Sequence, residues 1–86
     1  MKFTPEHYAE LKGLVAEVVK KTGKSIKQCR KDYEAINLSE IRFLWDLFWL
    51  TKWPRIMRER GEEMDYLDTH ISTALRKIVK ELEEGK

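Results

Sequence analysis

The sequence predicts an all-α fold, a compact bundle of about four principal helices with a short extra helical turn near 54–60. Apolar residues recur at the three- and four-residue spacing of helix faces, and the sustained alternation that a sheet would show is absent. Glycine and proline are few and stand mostly where helices start and stop.

The first helix has a clear beginning. Thr4 suits an N-cap and Pro5 suits the first helical position. Phe3 and Tyr8 occupy the two positions of a hydrophobic staple. Tyr8, Leu11, Val15 and Val18 form its apolar stripe, widened by Leu14 and Val19. Gly23 ends it as a left-handed cap, and Lys20 and Lys21 favour the negative end of its dipole.

Ser25 with Gln28 has the form of a capping box and opens a second helix. Ile26, Cys29, Tyr33 and Ile36 fall on one narrow face, with Lys27, Arg30, Lys31 and Glu34 on the solvent side. Asn37 followed by Glu40 repeats the cap signature and starts a third helix, from about Leu38 to Thr51 or Trp53. Leu38, Ile41, Leu44, Trp45, Phe48 and Trp49 cover one side of it, and Phe43, Leu47 and Leu50 emerge on nearly the opposite side. A helix apolar almost all round is a buried central element or one shared with a partner. Arg42 and Asp46, four apart, are placed to pair along its polar strip.

Pro54 disfavours helical geometry at Trp53 and opens the short turn, which Gly61 breaks. The last helix runs from about Glu62 to Glu84, with Met64, Leu67, Ile71, Ala74, Leu75, Ile78 and Leu82 as its stripe. Met64, Ile71 and Ile78 are spaced by seven, but the pattern is too short for a coiled coil, and packing within the bundle is the expectation.

With 86 residues the chain reads as a single helical domain, 1–86. Hydrophobic residues at 42% and charged residues at 37% exclude both disorder and a membrane-embedded chain. The longest apolar stretch, Phe43 to Leu50, already contains Asp46, and no secretory signal precedes it. The single cysteine, Cys29, sits on an apolar stripe and fits a small buried residue in a reducing compartment, the cytoplasm.

Net charge is only +2, yet Lys20, Lys21, Lys24, Lys27, Arg30 and Lys31 place six cations in twelve residues without one acid. Glu59, Glu62, Glu63, Asp65 and Asp68 form an opposing acidic run. A helix, a glycine turn and a capped basic helix in succession suggest a helix-turn-helix. On that reading the first-helix lysines Lys20 and Lys21, with Lys24, Lys27, Arg30 and Lys31, anchor phosphates, and Gln28 or Arg30 reads base edges. Against it, the position after the glycine is Lys24 where such turns are usually apolar, and a charged run is most often a solvated face.

Phe43, Trp45, Phe48, Trp49 and Trp53 crowd eleven residues, a density typical of cores and of interfaces. Periodicity assigns Leu44, Trp45 and Phe48 to the core. Phe43, Leu47, Leu50 and Trp53 are then the candidates for a partner surface, with a homodimer as the simplest partner. Catalysis finds no support: His7 and His70 lack metal-ligand spacing, no phosphate-binding glycine loop occurs, and no cofactor, metal or small-molecule substrate is indicated.

Two stretches, Asn37–Trp49 (NLSEIRFLWDLFW) and Asp68–Leu82 (DTHISTALRKIVKEL), resemble segments of small uncharacterised helical proteins encoded by phages and prophages. The resemblance rests on packing residues and carries over no activity or functional residue. It implies an accessory protein in a bacterial cytoplasm that binds a host protein or nucleic acid. The sequence therefore points to a non-enzymatic interaction protein, self-associating or bound to a host protein, with a nucleic-acid-binding module as the alternative.

Overall fold

The computed structural model describes residues 3–62 and 69–85. Among these residues five helices follow one another: α1 (Pro5–Thr22), α2 (Ile26–Ala35), α3 (Glu40–Leu50), α4 (Trp53–Glu59) and α5 (Thr69–Glu83). The expected short turn is thus a helix of its own, and no strand occurs among the described residues. The radius of gyration is 12.6 Å, close to the roughly 12 Å expected for a compact chain of this length.

Local chemistry accounts for the helix ends. Thr4 caps α1 by accepting from the His7 backbone N–H at 3.2 Å, and His7 Nδ1 accepts from the Thr4 N–H at 3.1 Å. His7 is therefore the second half of a capping box, a role its sequence position did not announce. Ser25 caps α2 by accepting from the Gln28 N–H at 3.1 Å. The box expected there is only half formed, because the Gln28 side chain donates to Asp32 instead, at 3.0 Å.

Asn37 does not cap α3. It closes α2, in the left-handed conformation at φ 63°, with its own N–H bonded to the Glu34 carbonyl and the Leu38 N–H to that of Tyr33. That is the reciprocal C-terminal motif that usually employs glycine, and asparagine tolerates it better than other residues. Ser39 takes the capping role, accepting from the Arg42 N–H at 3.3 Å. Gly61, at φ 71°, ends α4 by the same motif, through the Gly61 and Glu62 N–H groups. Helix α4 begins at Trp53, with Pro54 in its first turn.

Helices α1, α2 and α3 all pack on α5, and α3 also meets α1, α2 and α4. Tyr8 lies against Lys77 and Lys12 against Glu81, so α1 and α5 run in the same direction. The core gathers Leu11 and Val15 from α1, Ile26 from α2, Phe43, Leu44, Leu47 and Phe48 from α3, Trp53 and Met57 from α4, and Ile71, Leu75, Ile78 and Val79 from α5. Phe3 and Tyr8, the expected staple pair, pack partly buried against it. The α5 stripe holds at Ile71, Ala74, Leu75 and Ile78, while Met64 and Leu67 lie outside the described residues.

Buried Trp53 is fixed by more than packing. Its indole N–H donates to Glu10 Oε1 at 3.1 Å, and Phe3, His7 and Phe48 surround its ring at centroid distances of 6.0, 6.3 and 5.9 Å. This cluster seats α4 against the start of α1.

Candidate functional site

Helix α3 places its apolar residues in two sets. Phe43, Leu44, Leu47 and Phe48 are buried, and Trp53 beyond the helix is buried as well. Of the four residues expected to offer a partner surface, Phe43, Leu47 and Trp53 are therefore covered by the chain's own helices, and Leu50 alone is exposed, at 65%. The reason is packing between helices. Residue Phe43 packs edge-on against Tyr33 at 5.1 Å and reaches α2, so the side of α3 that carries Phe43 and Leu47 is the inward one.

Leu44 and Phe48 are buried as expected of core residues, whereas Trp45, expected with them, lies toward the outward side. Ile41 is 39% exposed and Trp49 is 53% exposed, with Trp45 half-buried between them. These three stand four residues apart and form one ridge along the helix. Beside it runs a second row, Arg42, Asp46 and Leu50, in which Arg42 and Asp46 pair at 3.2 Å as their spacing predicts. Asp46 also accepts from the Tyr33 hydroxyl at 2.5 Å, anchoring α3 to α2. Burial and that hydrogen bond push the Tyr33 phenol up to about 12. Ile36, expected on the buried face of α2, lies past the end of the helix and is exposed.

The basic segment is only partly available. Lys24 donates to Asp32 at 2.9 Å, and Gln28 donates to the same carboxylate at 3.0 Å. These two bonds, Lys24 first, hold the Asp32 carboxyl below the usual carboxylate range, and the Asp32 bond raises Lys24 in turn. Arg30 reaches across to Glu83 at the end of α5 and grips it with its two terminal guanidinium nitrogens, at 2.8 and 3.1 Å. Lys20, Lys21, Lys27 and Lys31 are exposed and make no ion pair among the described residues.

Spacing on α2 could not reveal these bonds to Arg30, because Glu83 is fifty-three residues away in sequence. Cys29 is a free, partly buried thiol that packs against the core. Among the described residues no group of histidine, cysteine and carboxylate side chains is placed to hold a metal, and no helix is long and apolar enough to cross a membrane. Comparison with protein-family models, curated proteins and solved structures finds no match.

Proposed function

We propose that this chain is a non-enzymatic interaction protein that self-associates through the outward side of α3. The observation that carries the reading is the ridge of exposed Ile41, half-buried Trp45 and exposed Trp49 beside exposed Leu50, on a helix whose other apolar residues already fill the core. Tryptophan held at a surface is costly unless something covers it, and it is among the residues most enriched at interface centres. A ridge with four-residue spacing is the feature that interlocks with the same ridge of another helix.

A second copy suits this side because its charges are self-complementary. Arg42 and Asp46 sum to zero, so neither sign of partner is selected, and a two-fold arrangement brings each patch onto itself. Sedimentation across the micromolar range should show dimer forming with concentration. The double substitution Ile41→Glu with Trp49→Glu should leave a monomer of unchanged helicity. A wild-type chain that stays monomeric throughout would overturn self-association, and a host protein would then be the occupant to seek.

The second reading, a nucleic-acid-binding module on α2, is favoured by one observation: Lys20, Lys21, Lys27 and Lys31 are exposed cations without acidic partners among the described residues. It is weakened by the engagement of Lys24, Gln28 and Arg30 in bonds within the fold. If it holds, binding to random duplex or single strands falls steeply with salt, and charge reversal of Lys20, Lys21, Lys27 and Lys31 abolishes it. No gel shift at low salt removes it.

A further inference from the structure

From the groove where the end of α1, the start of α2 and the end of α5 meet, we infer a binding site for a small amphipathic anion, a molecule with an apolar body and one carboxylate head. The groove has a volume of about 420 Å³, within the range that small-molecule sites occupy. Ala16, Val19, Ile26 and Leu82 supply apolar walls, and Lys20 and Lys27 stand at its edge.

Charge decides the class of occupant. Neither lysine has an ion pair among the described residues. The carboxylate on the wall, Glu83, is neutralised by the two-pronged grip of Arg30 at 2.8 Å. Ser25 is likewise committed, its hydroxyl accepting from the Gln28 N–H. Two uncommitted cations over an apolar floor match an anion with a hydrocarbon tail. A nucleic-acid backbone would leave the floor uncovered, and a neutral lipid would leave the lysines unused.

The other clefts lack this combination. Those beside Phe43 measure only about 130 and 160 Å³, and of the cations on their walls Arg30 and Arg76 are already paired, with Glu83 and Glu40, which leaves the smaller cleft none and the larger Lys80 alone. The cleft between Phe3 and His70 offers Lys77, which lies over the Tyr8 ring at 5.2 Å.

Decanoate below its micelle-forming concentration, titrated into the full chain, tests the site by amide chemical shifts. Saturable changes confined to Val19, Lys20, Ile26, Lys27 and Leu82 are expected. The Lys20→Gln, Lys27→Gln double variant, folded by circular dichroism, should bind about tenfold more weakly, as loss of two exposed charge contacts predicts. Decanol should bind more weakly to the same degree. The Ile41→Glu, Trp49→Glu variant should bind decanoate unchanged, which separates this site from the α3 surface. Equal binding of decanol, indifference to the lysine substitutions, or shifts centred on α3 would overturn the inference. So would tighter binding of a short acidic peptide, or groove shifts produced by protein concentration alone, since the occupant would then be a protein segment or a second copy.

Discussion

One carboxylate, Glu10, holds two groups from the two ends of α4: the indole N–H of buried Trp53 at 3.1 Å and, with both oxygens, the Arg60 guanidinium at 3.1 and 3.0 Å. The two bonds differ in worth. The Arg60 pair is partly exposed and contributes about 0–1 kcal/mol, whereas a buried indole N–H left without an acceptor costs about 1–3 kcal/mol. Glu10→Ala should therefore lower the melting temperature by several degrees, and Glu10→Gln, which keeps an acceptor for Trp53, should lower it by much less. Thermal melts of the two variants check this; equal losses would mean that the ion pair dominates.

Tyr33 makes a pH-dependent case at the same scale. Its folded-state value is pushed up to about 12 from 10.0, first by burial and then by its bond to Asp46. A raised value means the folded state holds the proton more tightly than the unfolded chain. The contribution is fully present below pH 10 and is lost as pH rises through about 12. The stability difference between the wild type and Tyr33→Phe should hold constant up to pH 10 and shrink above it. Denaturant midpoints measured across the alkaline range report this directly, and a difference that shrinks below pH 10 would contradict it.

At the scale of the helices, the ends separate what the sequence shows from what it conceals. Thr4, Pro5, Gly23, Ser25 and Gly61 do what their residue types suggest, because capping is local chemistry decided within a few residues. The stop of α2 and the start of α3 were harder to read. Asn37 and Ser39 are both good N-caps, and only the backbone shows that Asn37 has taken the left-handed stop of α2 and left the start of α3 to Ser39. Opposite substitutions distinguish the two roles. Ser39→Ala should cost about 1 kcal/mol, while Asn37→Gly should be neutral or mildly stabilising, since glycine adopts positive φ freely. If Asn37 were the cap of α3, Ser39→Ala would cost little and glycine at residue 37 would gain nothing, which chemical denaturation resolves.

For the molecule as a whole, helical periodicity identifies the all-α class and the stripes of α1 and α5, but it cannot orient α3. A helix with apolar residues on both sides offers two candidate inward faces. Here the choice falls to packing against the neighbouring helices: Tyr33 of α2 against Phe43, and Trp53 of α4 against Phe48. For this reason Phe43 and Leu47 of the expected partner surface turn inward, while Leu44 and Phe48 stay in the core, Leu50 stays exposed, and Ile41 and Trp49 face outward.

Mutational cost tests that orientation. Phe43→Ala should remove about 3–5 kcal/mol, a large share of the roughly 4–13 kcal/mol expected for a chain of this length. Leu50→Ala, on exposed surface, should stay within about 0.5 kcal/mol when measured on dilute monomer. Trp49→Ala should behave like Leu50→Ala at low protein concentration and separate from the wild type only as concentration rises, because the tryptophan then loses a neighbouring copy and not a core. A loss at Trp49 that is large and independent of concentration would place its ring inside the fold and remove the basis for a second copy on α3.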